Sequence, residues 1–568
     1  MVKTAVYFLI LNLLTVVGCR TVVIDPEPII VTDTITVTDT ITINDTITIN
    51  DTITVNDTIT VSDTVTVNDT VTVTDTVTVT DTVTVTDTVT VTDTITVTDT
   101  VTVPEEKQLI PSTIQIDDKY RSLIPNQEIA LVVGGEGDGK VTITSNNPEV
   151  ISYDTGSCML TAGKVGKAII TITKDSTCTH SRVSLDFQII VTNNIPLIII
   201  NTEGNQEITS KDIYLKADIS VLDPNNPRNN LEKTGYNDEI RGRGNYSWKD
   251  CPKKSYRIKF NKKIPLFGLE AAKSWILLAN YLDPTLIMNA TAFELANRFK
   301  IKYSHHFFHV DVILNGEYLG NYLLTEHNQV GAGRVDIDKT NGFLVELDHY
   351  YDEEPKFTTD YYELPVMIKS PEYSQYEGAG YSEEYSFVRE KINTIEALLY
   401  NNGESAPDSG YKDHIDLQSM VNYILIYEIV KNNEIVRPKS VFMYMDRDNI
   451  VRMGPLWDFD WAFHPIDYGD HLSYFADAHG TISKHAFFRK FYSDPEFIES
   501  YKKRWNEMKS EIIDMENFMD QMKQKLELSS MANTAVWNLA FDFEEEIEKM
   551  KQWWRDRIIY LDAEINGL

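Results

Sequence analysis

The chain has 568 residues, 85 of them acidic against 52 basic, for a formal charge of −33. That balance excludes a nucleic-acid binder, which needs basic patches, and the length leaves room for more than one domain. Twelve aspartates fall in one low-complexity segment, and the rest of the chain still carries about −21.

Residues 1–19, MVKTAVYFLILNLLTVVGC, combine an early lysine, an apolar run and a small residue before Cys19. This pattern is an export signal, too short to span a bilayer. Its end, "VVGC", resembles a bacterial lipobox. The resemblance implies lipidation of Cys19 and a lipid anchor in the bacterial outer membrane or at the cell surface. A plain secretory leader is the alternative. Of the remaining cysteines, Cys158, Cys178 and Cys251, the first two are spaced so that an oxidising compartment permits a disulfide.

Residues 20–104 form the next segment. From Asp33 up to Pro104 a hexad, Asp-Thr-Ile/Val-Thr-Val/Ile followed by Thr, Asn or Ser, runs twelve times without a gap. The even period keeps the branched apolar residues on one side of an extended chain. No aromatic, glycine or cation is present to build a core. An elongated stalk is expected, about 240 Å at full extension, with a β-solenoid as the competing arrangement. Each hexad also contains a triplet that resembles the O-glycosylation acceptor of exported proteins in Bacteroidota.

Residues 105–195 alternate short strands with turn clusters. The run "SNNPEVISYDTGSCMLTAGKVGKAIITIT" resembles a bacterial Ig-like domain of group 2, which implies a β-sandwich spacer.

Residues 196–568 read as α+β, with helices around Thr285–Phe299 and His414–Lys431 and a nearly all-helical end from Ser483. "RGRGNYSWKDCPKKSYRIKF" gathers Arg241, Arg243, Lys253, Lys254, Arg257 and Lys259 in an otherwise acidic chain. Such an island suits an anionic ligand, and Gly242 and Gly244 would let backbone approach it. The strand "KKSYRIKF" places Lys254 on the side of Tyr256, Ile258 and Phe260. "HVDVILNGEYLGNYLLTE" is a hairpin turning at Asn315-Gly316. On its first strand His305 and His309 stand about 13 Å apart, too far to share a metal. Glu346 and Asp348 in "GFLVELD" are a pair of acids spaced by one, and "GPLWDFDWAF" repeats the pattern with Asp458 and Asp460. Read as a strand, the latter puts both carboxylates on one side about 6–7 Å apart, where they need a cation. A salt-bridged strand end is the bland alternative. Before this stretch come a helix, a loop with Asn433 and Glu434, and the hairpin "SVFMYMDRDNIVRM". Protein kinases place their catalytic base and their Mg²⁺ aspartate in that order.

Six ordered motifs, "RGRGNYSW" with "KKSYRIKF", "WILLANYLDPTLIMN", "LNGEYLGNYLLTE", "GFLVELD", "NNEIVRPKSVFMYMDRD" and "GPLWDFDWAF", resemble the CotH kinase family over about 195–565. The resemblance implies an atypical protein-kinase-like domain that transfers the γ-phosphoryl of ATP, with Mg²⁺ or Mn²⁺, to Ser or Thr hydroxyls of a protein substrate. Its metal aspartate carries over to Asp458, assisted by Asp460. Its phosphate contact carries over to Lys254, with Arg243 and Lys259 as weaker choices. Its catalytic aspartate and following asparagine are represented here by Glu434 and Ser440, a departure that keeps a non-catalytic, displayed ligand-binding lipoprotein as the alternative. A third, glycan-directed reading rests on Trp553 and Trp554 alone.

Overall fold

The computed structural model describes residues 109–371, 383–401, 406–435, 437–463 and 486–568, together with the backbone of short strands between Thr15 and Thr102. Cys19 lies outside the described residues. The chain divides into two compact units, Met1–Ser112 with Gly137–Gly139 and Asp175–Arg182, and Thr113–Glu136 with Lys140–Lys174 and Val183–Leu568.

In the first unit the repeat strands form three five-stranded sheets. Every pairing is parallel, and within the repeat each joins strands three hexads apart, as Val71–Val73 pairs with both Ile53–Val55 and Val89–Val91. Of the two arrangements expected for the repeat, an elongated stalk and a β-solenoid, the parallel ladders of the described strands are those of the solenoid. Backbone groups explain the preference: an extended single chain leaves them to water, whereas the ladder pairs them. Each coil then advances by about 4.8 Å.

The second unit begins with two small sheets, Ser122–Leu123, Val183–Val191, Gly166–Lys174 and Val141–Ser145 in one and Glu128–Ala130, Met159–Ala162 and Ile151–Asp154 in the other. Both contribute to one apolar core that includes Tyr120, Leu160, Ile170 and Ile189. Cys158, Cys178 and Cys251 are free thiols.

Seven strands then close into a barrel: β1 (Leu197–Thr202), β2 (Leu215–Leu222), β3 (Asp238–Arg243), β4 (Ser255–Ile264), β5 (Ala272–Leu278), β6 (Phe307–Leu314) and β7 (Glu317–Glu326). A parallel pairing of β1 with β6 completes the ring. Strand alternation fills the interior with Ile198, Ile219, Ile240, Ile258, Leu277, Val310 and Leu324, all fully buried. The β6–β7 hairpin turns at Asn315 and Gly316, with φ of 51° and 84°, the left-handed pair that a tight hairpin requires.

Beyond the barrel an antiparallel sheet runs in the order β9 (Lys356–Thr358), β10 (Pro365–Ser370), β8 (Phe343–Leu347), β11 (Val441–Met445) and β12 (Val451–Met453). Around it pack α1 (Met288–Arg298), α2 (Glu383–Tyr400), α3 (Leu417–Ile429), α4 (Pro495–Trp537) and α5 (Phe543–Gly567). Helix α3 is apolar nearly all round, so it sits in the core, and Asp416 caps it by accepting the Ser419 N–H at 2.9 Å. Asp494 and Pro495 start the 43-residue α4 in the same manner. A fully buried pair, Arg557 on α5 and Glu428 on α3, joins the last helix to the one that precedes the acidic loop. Trp553 and Trp554 are buried against Phe463, which overturns the glycan-directed reading, since neither ring faces solvent. No helix among the described residues is long and apolar enough to cross a membrane.

Candidate functional site

The outer side of the barrel and the five-stranded sheet face each other across a cavity of about 1000 Å³. On the barrel side β3 pairs with β4 so that Arg241 stands opposite Arg257. Ile240 and Ile258 point inward, and alternation turns the two arginines, with Arg243, outward into the cavity. The Nε atoms of Arg241 and Arg257 are buried without a hydrogen-bond partner. An orphaned guanidinium N–H is costly, and a charged acceptor would satisfy it. His327, in the same wall, is driven well below the usual histidine range, first by burial and then by Arg257, Arg243, Lys369 and Arg241. Four cations thus surround one neutral ring.

The opposite wall is acidic. Glu346 and Asp348 line the cavity while Val345 and Leu347 belong to the helical core. Lys369 on β10 reaches Glu346 at 2.9 Å and also pairs with Glu353. Burial nevertheless raises Glu346 to about 7 against the pull of Lys369. Asp348 is raised by burial to about 6, although the N–H groups of Tyr350 and Ser440 oppose it.

Asp458 and Asp460 complete the cavity, though not as a strand. After β12 the stretch 454–463 is irregular, and Asp458 has φ of 65°. The left-handed residue breaks the extended alternation, so the strand expected for this stretch does not form. Three groups fix the bend. Asn289 of α1 accepts the Phe459 N–H at 2.8 Å, Phe459 packs on Tyr427, and Trp457 lies among Phe293, His305 and the Arg243 guanidinium. The two carboxyls still line one cavity, and Asp460 is raised well above the carboxylate range by burial and then by the charge of Asp458. Two carboxyls coupled in this way are stable together only with a proton or a cation to offset one charge. Ser440 also has a left-handed backbone, φ 53°, and its Oγ lies 3.5 Å from an Asp458 oxygen. Two non-glycine residues in that conformation at one point mark a constrained site.

Glu434 follows α3 in a single 3-10 turn. Its carboxylate accepts from Lys439 at 2.7 Å. Burial, followed by the charge of Asp458, lifts it to about 7. Lys439 lines the cavity and Glu434 does not.

Two residues assigned from the sequence to phosphate stand elsewhere. Lys254 donates to the Trp248 carbonyl at 2.6 Å, and Lys259 pairs with Glu239 at 3.1 Å; neither lines the cavity, whereas Arg243 does. Gly242 and Gly244 both line the cavity, and Gly242 also makes room for Trp248, whose ring a Cβ would meet at 2.2 Å. His309 is buried and bonded to Asn321, and His305 faces Glu326. Lys369, Lys439 and His327 belong to the cavity although no sequence motif singles them out. A signal for Lys369 exists in its place as a lone cation in the alternating strand "PVMIKS"; none marks Lys439 or His327.

Among the described residues no group of three or more His, Cys, Asp or Glu side chains could hold a metal by itself. Asp458 and Asp460 do fit a hard cation of the Mg²⁺ type, which takes one or two carboxylates and leaves its other positions to phosphate and water. Cationic and carboxylate walls thus face each other across one cavity. The chain belongs to the CotH kinase protein family, whose model matches residues 240–561. No curated protein matches it. A solved structure, surface layer protein SbsC, domains 4-9, is 11% identical over 28% of this chain and 30% of its own, with a TM-score of 0.12. That likeness carries no argument.

Proposed function

We propose that this protein is a surface-anchored atypical kinase that transfers the γ-phosphoryl of ATP to Ser or Thr hydroxyls of a protein, with Asp458 and Asp460 as the ligands for Mg²⁺ or Mn²⁺. The observation that carries it is the meeting of Asp458, Asp460 and the Arg241–Arg243–Arg257 wall in one cavity. Bound there, the metal would neutralise charge on the phosphoryl oxygens. The arginines and Lys369 hold the phosphates by charge-assisted hydrogen bonds. Glu434, lifted to about 7, accepts the hydroxyl proton near neutral pH as the new O–P bond forms and the β–γ bridging bond breaks. Lipidation at Cys19, the Ig-like spacer and the domain limits 1–19, 20–104, 105–195 and 196–568 complete the reading of a displayed enzyme.

One observation favours a second reading, a pseudokinase that binds ligand without turnover: Glu434 stands where the family has aspartate and is held by Lys439. A thermal-shift titration of the full chain with ATP and Mg²⁺ or Mn²⁺ tests both. Ligand that binds the folded state raises Tm by mass action. The expected shift disappears in Asp458→Ala; no shift at millimolar nucleotide overturns the nucleotide reading. A shift without phosphate transfer to any protein selects the pseudokinase.

A further inference from the structure

We infer that Lys439 is the resident counter-ion of this centre: its ammonium, paired with Glu434, supplies the positive charge that a divalent cation at Asp458 and Asp460 would replace, and it shuts Glu434 off from the cavity until it is displaced. The inference rests on the metal–nucleotide reading above and concerns how that site is held before ligand arrives.

The geometry carries it. Lys439 Nζ lies 2.7 Å from the Glu434 carboxylate, and the two side chains are only 16% and 13% exposed. The lysine lines the cavity while the glutamate behind it does not. Asp458 acts on the charge of Lys439, and the Tyr350 ring lies 5.6 Å from the ammonium. The other cavity cations have different surroundings: Lys369 lies between Glu346 and Glu353, Arg243 lies over Trp457, and Arg241 and Arg257 belong to the barrel wall. Lys439 is accordingly the cation whose charge acts on Asp348, Glu434, Asp458 and Asp460 together.

An ammonium and a divalent ion repel, so a metal on Asp458 and Asp460 is disfavoured while this charge stays on the neighbouring Glu434. Lysine is suited to leave, because its charge rides on a flexible four-carbon stem. A metal arriving alone at Asp458 and Asp460 meets the repulsion of this ammonium, which among the described residues has no other ion-pair partner to move to. A metal arriving with nucleotide offers the displaced ammonium phosphate oxygens. The two ligands are thereby coupled, each raising the affinity for the other, and Glu434 is exposed only when both are present.

Calorimetric titration of the full chain with Mn²⁺ alone tests this, comparing the parent with Lys439→Met and Lys439→Arg. The Met variant is expected to bind Mn²⁺ at least tenfold more tightly, with ATP then improving that affinity less than in the parent. The Arg variant keeps the charge and stays near the parent. Unchanged or weaker Mn²⁺ binding in a Met variant that still melts cooperatively overturns the inference and leaves a structural ion pair. Should the Met variant fail to fold, Lys439→Gln retains a donor for Glu434 without the charge and is judged by the same criterion. Failure of the parent to bind Mn²⁺ with ATP overturns the nucleotide reading itself. Binding there without a gain in the Met variant overturns only the role of Lys439.

Discussion

Replacing Arg557 by Met probes how the acidic loop is held. The guanidinium donates to the Glu428 carbonyl oxygen at 3.1 and 2.6 Å and to Oε1 at 2.7 Å, and neither side chain has any solvent exposure. Hydrogen bonds from a charged donor contribute about 1.5–3 kcal/mol each. Removing one partner of a buried pair, which strands the other charge, costs about 3–5 kcal/mol. Since both acceptors belong to Glu428, the two figures describe one loss, and about 3–5 kcal/mol is expected for Arg557→Met. The double variant Arg557→Met/Glu428→Met exchanges the pair for apolar volume and should regain most of it. Urea unfolding followed by tryptophan fluorescence is the assay, because all eight tryptophans lie beyond residue 240. A loss under about 1 kcal/mol, or a double variant no better than the single one, would refute the strength assigned to this buried pair.

The cavity should respond to pH. Glu346 and Glu434 at about 7 and Asp348 at about 6 bind protons more tightly folded than unfolded; their contribution is most favourable below the ordinary carboxylate range and is lost as pH rises to about 7. Every tenfold gain in proton affinity on folding corresponds to about 1.4 kcal/mol, so unfolding free energies at pH 5 and pH 8 should converge in Glu346→Gln/Glu434→Gln, and an unaltered slope would count against the raised carboxyls. Arg257→Ala should weaken binding of ATP with Mg²⁺ roughly tenfold or more, the value of one charge-assisted bond. Lys254→Ala and Lys259→Ala should stay within about twofold, since neither lines the cavity; the reverse ranking in a titration would restore the phosphate site expected from the sequence.

Much of the frame was legible from local rules. Asn315-Gly316 specifies its hairpin through left-handed φ, Asp416 announces the start of α3, and the alternation in "KKSYRIKF" correctly turns Tyr256, Ile258 and Phe260 inward. The same parity puts Arg257 on the cavity side, where the family resemblance pointed instead to Lys254. In "GPLWDFDWAF" the alternation misled, because the bend at Asp458 is imposed by Asn289 and Tyr427 from helices far away in sequence. Lys439 acquires meaning only through Glu434 and the carboxylates across the cavity, which no single-strand pattern reveals.

The three-hexad offset in the repeat has a consequence for inheritance. Near-identical hexads pair with the third neighbour on either side, so a duplication or loss of one unit leaves a ladder that can re-form at once. It does, however, move the final strand from one sheet to the next. Only changes in multiples of three return it to the sheet it occupies now, which predicts that length variants tolerated in descent differ by whole coils of eighteen residues, the spacing between paired positions such as Val71 and Val89.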